Sequence, residues 1–283
     1  MNKSHNIKIL VACHKPVEKI RNDDIYMPVH VGKALHPELN LGFQGDDTGI
    51  NISHKNETFC ELTGLYWAWK NLKDVDYIGL CHYRRYFNFT ESKNIAETFF
   101  NPESREDRSK ETDILRKHLL DNKVILPGRD YFRVNLFEAY SHDHFRKDIV
   151  KTYDVIKSLN FPKEYSDAFI STLNNNRMAT CNMFVMPWEC FDEFCNFIFP
   201  VLFELERQTD LSGYDSYQKR IFGFISERLF NVFINRKDFG RKKKEVPVFN
   251  TEVPGFDNFF HNSPLCKRNR QFLLSRHEKF IPN

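Results

Sequence analysis

A histidine and two arginines follow directly on an apolar run: Tyr77-Ile78-Gly79-Leu80-Cys81 leads into His82-Tyr83-Arg84-Arg85-Tyr86-Phe87. The run has the length and composition of a buried β-strand, which places the cations at its carboxyl end. Ligands of open α/β sheets bind at that edge. Guanidinium groups recognise phosphate through paired, charge-assisted hydrogen bonds. The chemistry implied is recognition of a phosphate-bearing substrate, a nucleotide in the first instance. If the strand continues, alternation sends Arg84 and Arg85 to opposite faces, so that one meets the ligand and the other is paired structurally. Lys8–Cys13 is a second apolar run of strand length, and His14-Lys15-Pro16 stands at its carboxyl end.

The carboxylates divide by position. Asp74-Val75-Asp76 has the letters of a metal-holding Asp-x-Asp pair, which would bridge a diphosphate through Mg²⁺ or Mn²⁺. It precedes its strand rather than following it, so a metal-independent site is favoured, in which cations stabilise the departing diphosphate. Asp46 and Asp47 lie in the turn cluster Gln44–Gly49, where either could bind ribose hydroxyls, act as a base or simply cap the turn. Glu61 sits on the flank of an aromatic helix and is open to a functional or a surface role. In His142-Asp143-His144, positions i and i+2 do not face each other on a helix, whereas His144 and Asp148 do. That pair could orient an acceptor hydroxyl or remain a surface pair. Glu227-Arg228 is embedded among Ile221, Phe224, Ile225, Leu229, Val232 and Phe233. Charge placed there must be paired or functional. Glu227 is the first candidate for a base, with a structural ion pair as the alternative.

The elements that position these groups follow from periodicity. Further short strands are expected at Lys123–Leu126, Asn182–Met186 and Val246–Phe249. A helix is expected over Glu57–Leu72 with Asn56 as its N-cap, and others over Leu115–Asp121, Leu136–Leu159, Lys163–Leu173, Trp188–Arg207 and Tyr217–Asn235. Val17–Gly49 reads as loop, with Pro28 and Pro37 in it, and Asn88–Lys110 as a polar insertion. Strands alternating with helices, then helices alone, give an α/β fold with a helical C-terminal portion. The expected organisation is one domain over 1–240, with an α/β part to about 135 and a helical part after it. A basic tail is expected over 241–283.

The chain has 283 residues, 41% of them hydrophobic and 28 of them Phe, enough for a sizeable core. Its net charge of +3 excludes bulk nucleic-acid binding. The basic runs Arg241-Lys242-Lys243-Lys244 and Lys267-Arg268 read as solvated surface or as contact with anionic lipid. Seven Cys without framework spacing indicate free thiols in a reducing compartment. No signal-peptide pattern and no apolar run near the ~20 residues of a membrane span appear. The expectation is a cytoplasmic protein, at most peripheral at the inner face of the membrane. Neither a P-loop nor Gly-x-Gly-x-x-Gly nor Gly-x-Ser-x-Gly is present, which disfavours P-loop enzymes, dinucleotide oxidoreductases and serine hydrolases.

Several blocks standing in order carry a resemblance. They are Lys8–Pro16, Gly45–Ser53, Asn56 with Cys60–Asn71, Tyr77–Phe87, Asn182–Met186 and Ser226–Asn231. Together they resemble a family of bacterial capsule and O-antigen glycosyltransferases, first catalogued as a domain of unknown function. Some members are assigned as galactofuranosyltransferases using UDP-galactofuranose. The resemblance implies a GT-A-like nucleotide-sugar fold, a UDP-sugar donor and a glycan or undecaprenyl-diphosphate-linked acceptor. It makes the α/β part to about 135 and the helical part after it the donor-binding and acceptor sides of a glycosyltransferase domain. It places His14, Lys15, Asp47, Asn51, Asn56, Thr63, His82, Arg84 and Arg85 at the donor. It gives His144, Asp148, Asn182 and Arg228 to the acceptor side, and leaves Glu227, then Asp46 or Glu61, to take the acceptor proton. The rival readings are another sugar-nucleotide enzyme and a non-catalytic nucleotide- or glycan-binding subunit of an assembly complex.

Overall fold

In the computed structural model, which describes residues 5–92, 99–101, 105–120, 123–252 and 278–282, the apolar runs form the middle of a mixed sheet. β1 (Ile7–Cys13) pairs in parallel with β2 (Tyr26–His30) on one side and β4 (Tyr77–His82) on the other. Six of its seven residues are buried, Lys8 being the exception, so it reads as a continuous apolar run rather than an alternating one. β3 (Gln44–Gly45) extends β2 in parallel. Beyond β4 lies β9 (Phe184–Pro187), antiparallel to β4 and to β6 (Val124–Pro127), and β10 (Lys243–Val246) runs parallel to β6. The order is β10-β6-β9-β4-β1-β2-β3. β5 (Arg85–Phe87) turns back antiparallel to β4 and pairs with β11 (Val248–Asn250). Gly79 permits the close approach of β9, because a Cβ there would lie 2.8 Å from the Phe184 carbonyl oxygen.

The chain divides into two compact units. The sheet belongs to the first, made of Met1–Gly128, Met183–Asp192 and Arg241–His261. The second comprises Arg129–Asn182, Glu193–Gly240 and Asn262–Asn283. It is built from the helices Leu136–Asp143, Arg146–Ser158, Lys163–Leu173 and Ile221–Asn235, with the part of the Trp188–Arg207 helix from Glu193 onward. A two-stranded ribbon, β7 (Asp130–Tyr131) with β8 (Arg177–Met178), completes it. Phe169, Phe194, Phe197, Phe199, Phe222, Phe230 and Phe233 fill its core, each contributing about 1.5–3 kcal/mol of burial.

Five sequence expectations are corrected. The stretch read as loop contains β2 and β3. Pro28 masks β2, but β3 pairs β2 only at Val29 and His30, so the missing N–H of Pro28 interrupts no ladder. The helix expected over Glu57–Leu72 is broken into Asn56–Phe59 and Leu62–Asn71 by Cys60, whose φ is 51°. The helix expected over Leu136–Leu159 is broken at His144, which is extended at φ −140° and ψ 174°. Within the polar insertion, a helix begins at Arg105 and runs to Leu119. β10 lies in the segment expected to open a basic tail, and β11 overlaps the strand expected at Val246–Phe249. The basic residues Lys267, Arg268 and Arg270 lie outside the described residues.

Candidate functional site

The carboxyl ends of the central parallel strands carry the cations. His14 and Lys15 follow β1, and Tyr83 and Arg84 form the turn between β4 and β5. A cleft of about 420 Å³ opens there, lined by Lys15, Glu18, Lys19, Tyr83, Phe100 and Glu252 among others. Tyr83 organises it. The His14 ring meets the Tyr83 ring edge-on at 5.6 Å, and Lys15 Nζ lies 5.2 Å from its centroid. Glu252 is the counter-ion, with Arg84 NH1 at 3.1 Å and Lys15 Nζ at 3.6 Å. The backbone fixes it there, since Thr251 N–H donates to the Arg84 carbonyl at 2.9 Å. Arg84 first, then Lys15, holds the Glu252 carboxyl below its ordinary pKa, and Tyr83 and Glu252 hold the Lys15 ammonium above its own. Two cations therefore converge on one carboxylate over an open cleft. His82 and Arg85 face each other across the β4–β5 pair.

The residues around Asp46 form a braced loop in the same unit. Asp46 is fully buried and accepts from Gly32 N–H at 2.9 Å, Lys33 N–H at 3.1 Å and the Ser53 hydroxyl. A carboxylate so engaged holds the chain after β2. Asn51 donates to the Asp47 and Gly49 carbonyls, and Asn71 ties Ile50 at both its N–H (3.0 Å) and its carbonyl (2.8 Å). Gly49 is required where it stands, with φ 55° and a hypothetical Cβ 2.0 Å from Asn71 Oδ1. Asn56 does not cap a helix. Its side chain donates to the Cys60 carbonyl at 2.7 Å and to Thr63 Oγ1 at 3.1 Å, securing the break at Cys60. Glu61 starts the Leu62–Asn71 helix at its N-terminus. Asp76 accepts from Asn6 N–H at 2.7 Å and sits with Asp74 at the amino end of β4. Among the described residues, no group of three His, Cys, Asp or Glu side chains is placed to hold a metal ion.

The second unit braces its carboxylates around one loop. Cys181 and Asn182 both adopt positive φ, 66° and 51°. Such backbone persists only where its surroundings fix it. Glu227 accepts from Cys181 N–H at 2.8 Å and pairs with Arg228 at 3.0 Å. Asn231 holds Ala179 at both its N–H (2.9 Å) and its carbonyl (2.8 Å), and Asn182 donates to Ser226 at 2.8 Å. His144 and Asp148 take separate partners. The His144 ring stacks on Phe224 at 4.1 Å and bonds Gln218, and burial lowers its pKa. Asp148 accepts from the Tyr214 hydroxyl at 2.7 Å, and burial raises its pKa.

Sequence reading missed Tyr83, Glu252, His30 and Asp130. Glu252 had no local signal, because only the return of β11 to β5 brings it to Arg84. His30 ends β2, which Pro28 concealed. Its Nε2 is buried without a hydrogen-bond partner, and burial keeps its pKa below the ordinary value. Asp130 stands just after Pro127-Gly128. It accepts from the Thr180 hydroxyl at 2.8 Å, and burial pushes its carboxyl up to about 6.

The comparisons agree with this architecture. Residues 8–238 match a family model described as a domain of unknown function, DUF4422. No curated protein is similar to the chain at a significant level. Among solved structures, the apo structure of the WbbM bifunctional glycosyltransferase aligns with a TM-score of 0.77 and 30% identity, over 88% of this chain. The matched part is 46% of WbbM, so the chain spans about half its length. The α/β fold of this chain is accordingly GT-A-like.

Proposed function

We propose a function for this chain from one premise: it belongs to the DUF4422 family. The function is glycosyl transfer in polysaccharide synthesis. Its main support is that Lys15 and Arg84 converge on one carboxylate beside an open cleft, at the edge where α/β sheets bind ligands. The Glu252 carboxylate occupies the position that the diphosphate of a nucleotide sugar would take. The likeness to WbbM supports the same class of reaction.

In this reading an acceptor hydroxyl oxygen attacks the anomeric carbon of the sugar. The bond from that carbon to the diphosphate oxygen breaks, and its electron pair leaves with UDP. Lys15 and Arg84 take up the developing charge without a metal. A carboxylate takes the acceptor proton. Both oxygens of Glu227 are engaged, by Cys181 N–H and by Arg228, and Asp46 accepts three hydrogen bonds. Glu61, at the N-terminus of the Leu62–Asn71 helix in the same unit as Lys15 and Arg84, is the remaining candidate. The donor proposed is UDP-galactofuranose, from the family resemblance, and the acceptor a lipid-linked glycan of capsule or O-antigen at the cytoplasmic face of the membrane. Among the described residues no helix is long and apolar enough to cross a membrane.

The test is product analysis. The purified chain, a panel of UDP-sugars and a synthetic lipid-linked acceptor should yield an elongated acceptor and UDP in equal amounts. Release of free sugar at the same rate with and without acceptor would point to a hydrolase and sink the reading.

A further inference from the structure

Residues 278–282 lie on the second unit in a way that the family function does not require. One side chain of the five is anchored. Phe280 is 3% exposed and packs between Phe137 at 5.1 Å, Tyr153 at 5.6 Å and Phe169 at 5.6 Å. Glu278, Lys279 and Ile281 are exposed. The backbone on either side of the anchor is read by side chains. Asn174 grips Phe280 at both polar groups, accepting from its N–H at 2.8 Å and donating to its carbonyl at 2.9 Å. Glu138 accepts from the Glu278 N–H at 2.8 Å, and Asn135 donates to the Glu278 carbonyl at 2.8 Å. Arg146 forks onto the Glu278 carboxylate.

These gripping residues belong to helix ends. Asn135 is the N-cap of Leu136–Asp143 and uses its oxygen to accept from Glu138 N–H at 2.9 Å, which leaves its amide for the segment. Asn174 is the C-cap of Lys163–Leu173. The seat is thus built on rigid elements, and a cleft of about 590 Å³ remains open beside the segment, lined by Phe137, Arg146, Val150, Tyr153 and Asp154. One buried aromatic, main-chain hydrogen bonds on both sides and a rim ion pair are how proteins recognise extended peptides. A segment that belonged to the core would bury more than one side chain in five.

We propose that residues 278–282 are a peptide ligand of the second unit, held in a seat that recognises an extended chain with an acidic residue two positions before an aromatic one. The occupant is this chain's own segment. The seat holds it by Phe280 and by backbone, and so accepts the same peptide supplied separately. This inference stands apart from the glycosyltransferase reading, and its test needs no activity.

The probe is the fluorescent peptide Glu-Lys-Phe-Ile-Pro, with blocked ends, added to the full chain. In the Phe280→Ala chain the seat is vacated, so the peptide should bind roughly tenfold or more tightly than to wild type. Adding Asn174→Ala should remove that gain, and a peptide with Phe replaced by Ala should not bind. In the wild-type chain an excess of peptide should speed amide hydrogen exchange at Glu278 and Phe280, because it displaces the resident segment. That exchange measurement decides the matter alone if Phe280→Ala does not fold. Equal binding to wild type and Phe280→Ala, or exchange at Phe280 unmoved by excess peptide, would overturn the proposal.

Discussion

The Lys15–Arg84–Glu252 cluster of the first unit and the Glu227–Arg228 pair of the second live in different environments. In the first, Lys15, Arg84 and Glu252 are 49%, 40% and 43% exposed. In the second, Arg228 and Glu227 are 9% and 21% exposed and hold a loop of positive φ in place. Exposed pairs contribute little to folding, since water and salt screen them and side-chain entropy opposes them. Such a pair can exchange its partner for a ligand at small cost. A buried pair gains little on forming but leaves an uncompensated charge when broken. The same residue types therefore read as a binding edge in one unit and as a brace in the other.

The largest effect should come from breaking the brace. Glu227→Ala strands the Arg228 guanidinium and the Cys181 N–H, and should cost about 3–5 kcal/mol in denaturant unfolding. Glu227→Gln keeps an acceptor for Cys181 and should lose less. If Glu227→Gln abolishes turnover at an unchanged melting temperature, Glu227 is the base after all, and the contrast between the units fails.

Next comes the binding edge. Arg84→Ala or Lys15→Ala should weaken UDP binding by about ten- to a hundredfold, the range of a hydrogen bond to a charged group. Neither should move the melting temperature by more than a degree or two, because both side chains are exposed.

Much of this division was legible in the residues. Apolar runs marked β1, β4, β6 and β9, because central strands buried on both faces leave unbroken hydrophobic stretches. Lys15 and Arg84 were legible because they follow such runs directly. β2 was not, since Pro28 argues against a strand until its partner register is known. The breaks at Cys60 and His144 were invisible as well. The break at Cys60 is fixed by the nearby side chains of Asn56 and Thr63, and that at His144 by the distant Phe224 and Gln218. Glu252 and Asp130 acquire meaning only from residues distant in sequence, Arg84 and Thr180.

The Asp130 carboxyl is raised from 3.8 to about 6, so the folded chain binds its proton more tightly than the unfolded chain. The contribution of this group to stability should therefore be full below about pH 4 and be lost as pH rises through about 6, by about 3 kcal/mol. Asp130→Asn should remove that decline in unfolding curves recorded across the window. A wild-type profile that rises with pH and is unchanged in Asp130→Asn would show that the group is not buried as described.

The smallest effect is the sharpest for the binding edge. Glu252→Gln removes the anion that competes for Lys15 and Arg84. UDP should then bind a few-fold more tightly. Weaker binding would instead make Glu252 a ligand-holding residue.

The cations at the carboxyl edge are proposed to hold the donor diphosphate. Calorimetric titration of UDP into the wild-type and Arg84→Ala chains, each with Mn²⁺ and with EDTA, tests it most directly. Wild-type binding should be of equal strength in both buffers, with a loss of tenfold or more in Arg84→Ala. Binding that vanishes in EDTA, or that is equally strong in Arg84→Ala, would contradict it.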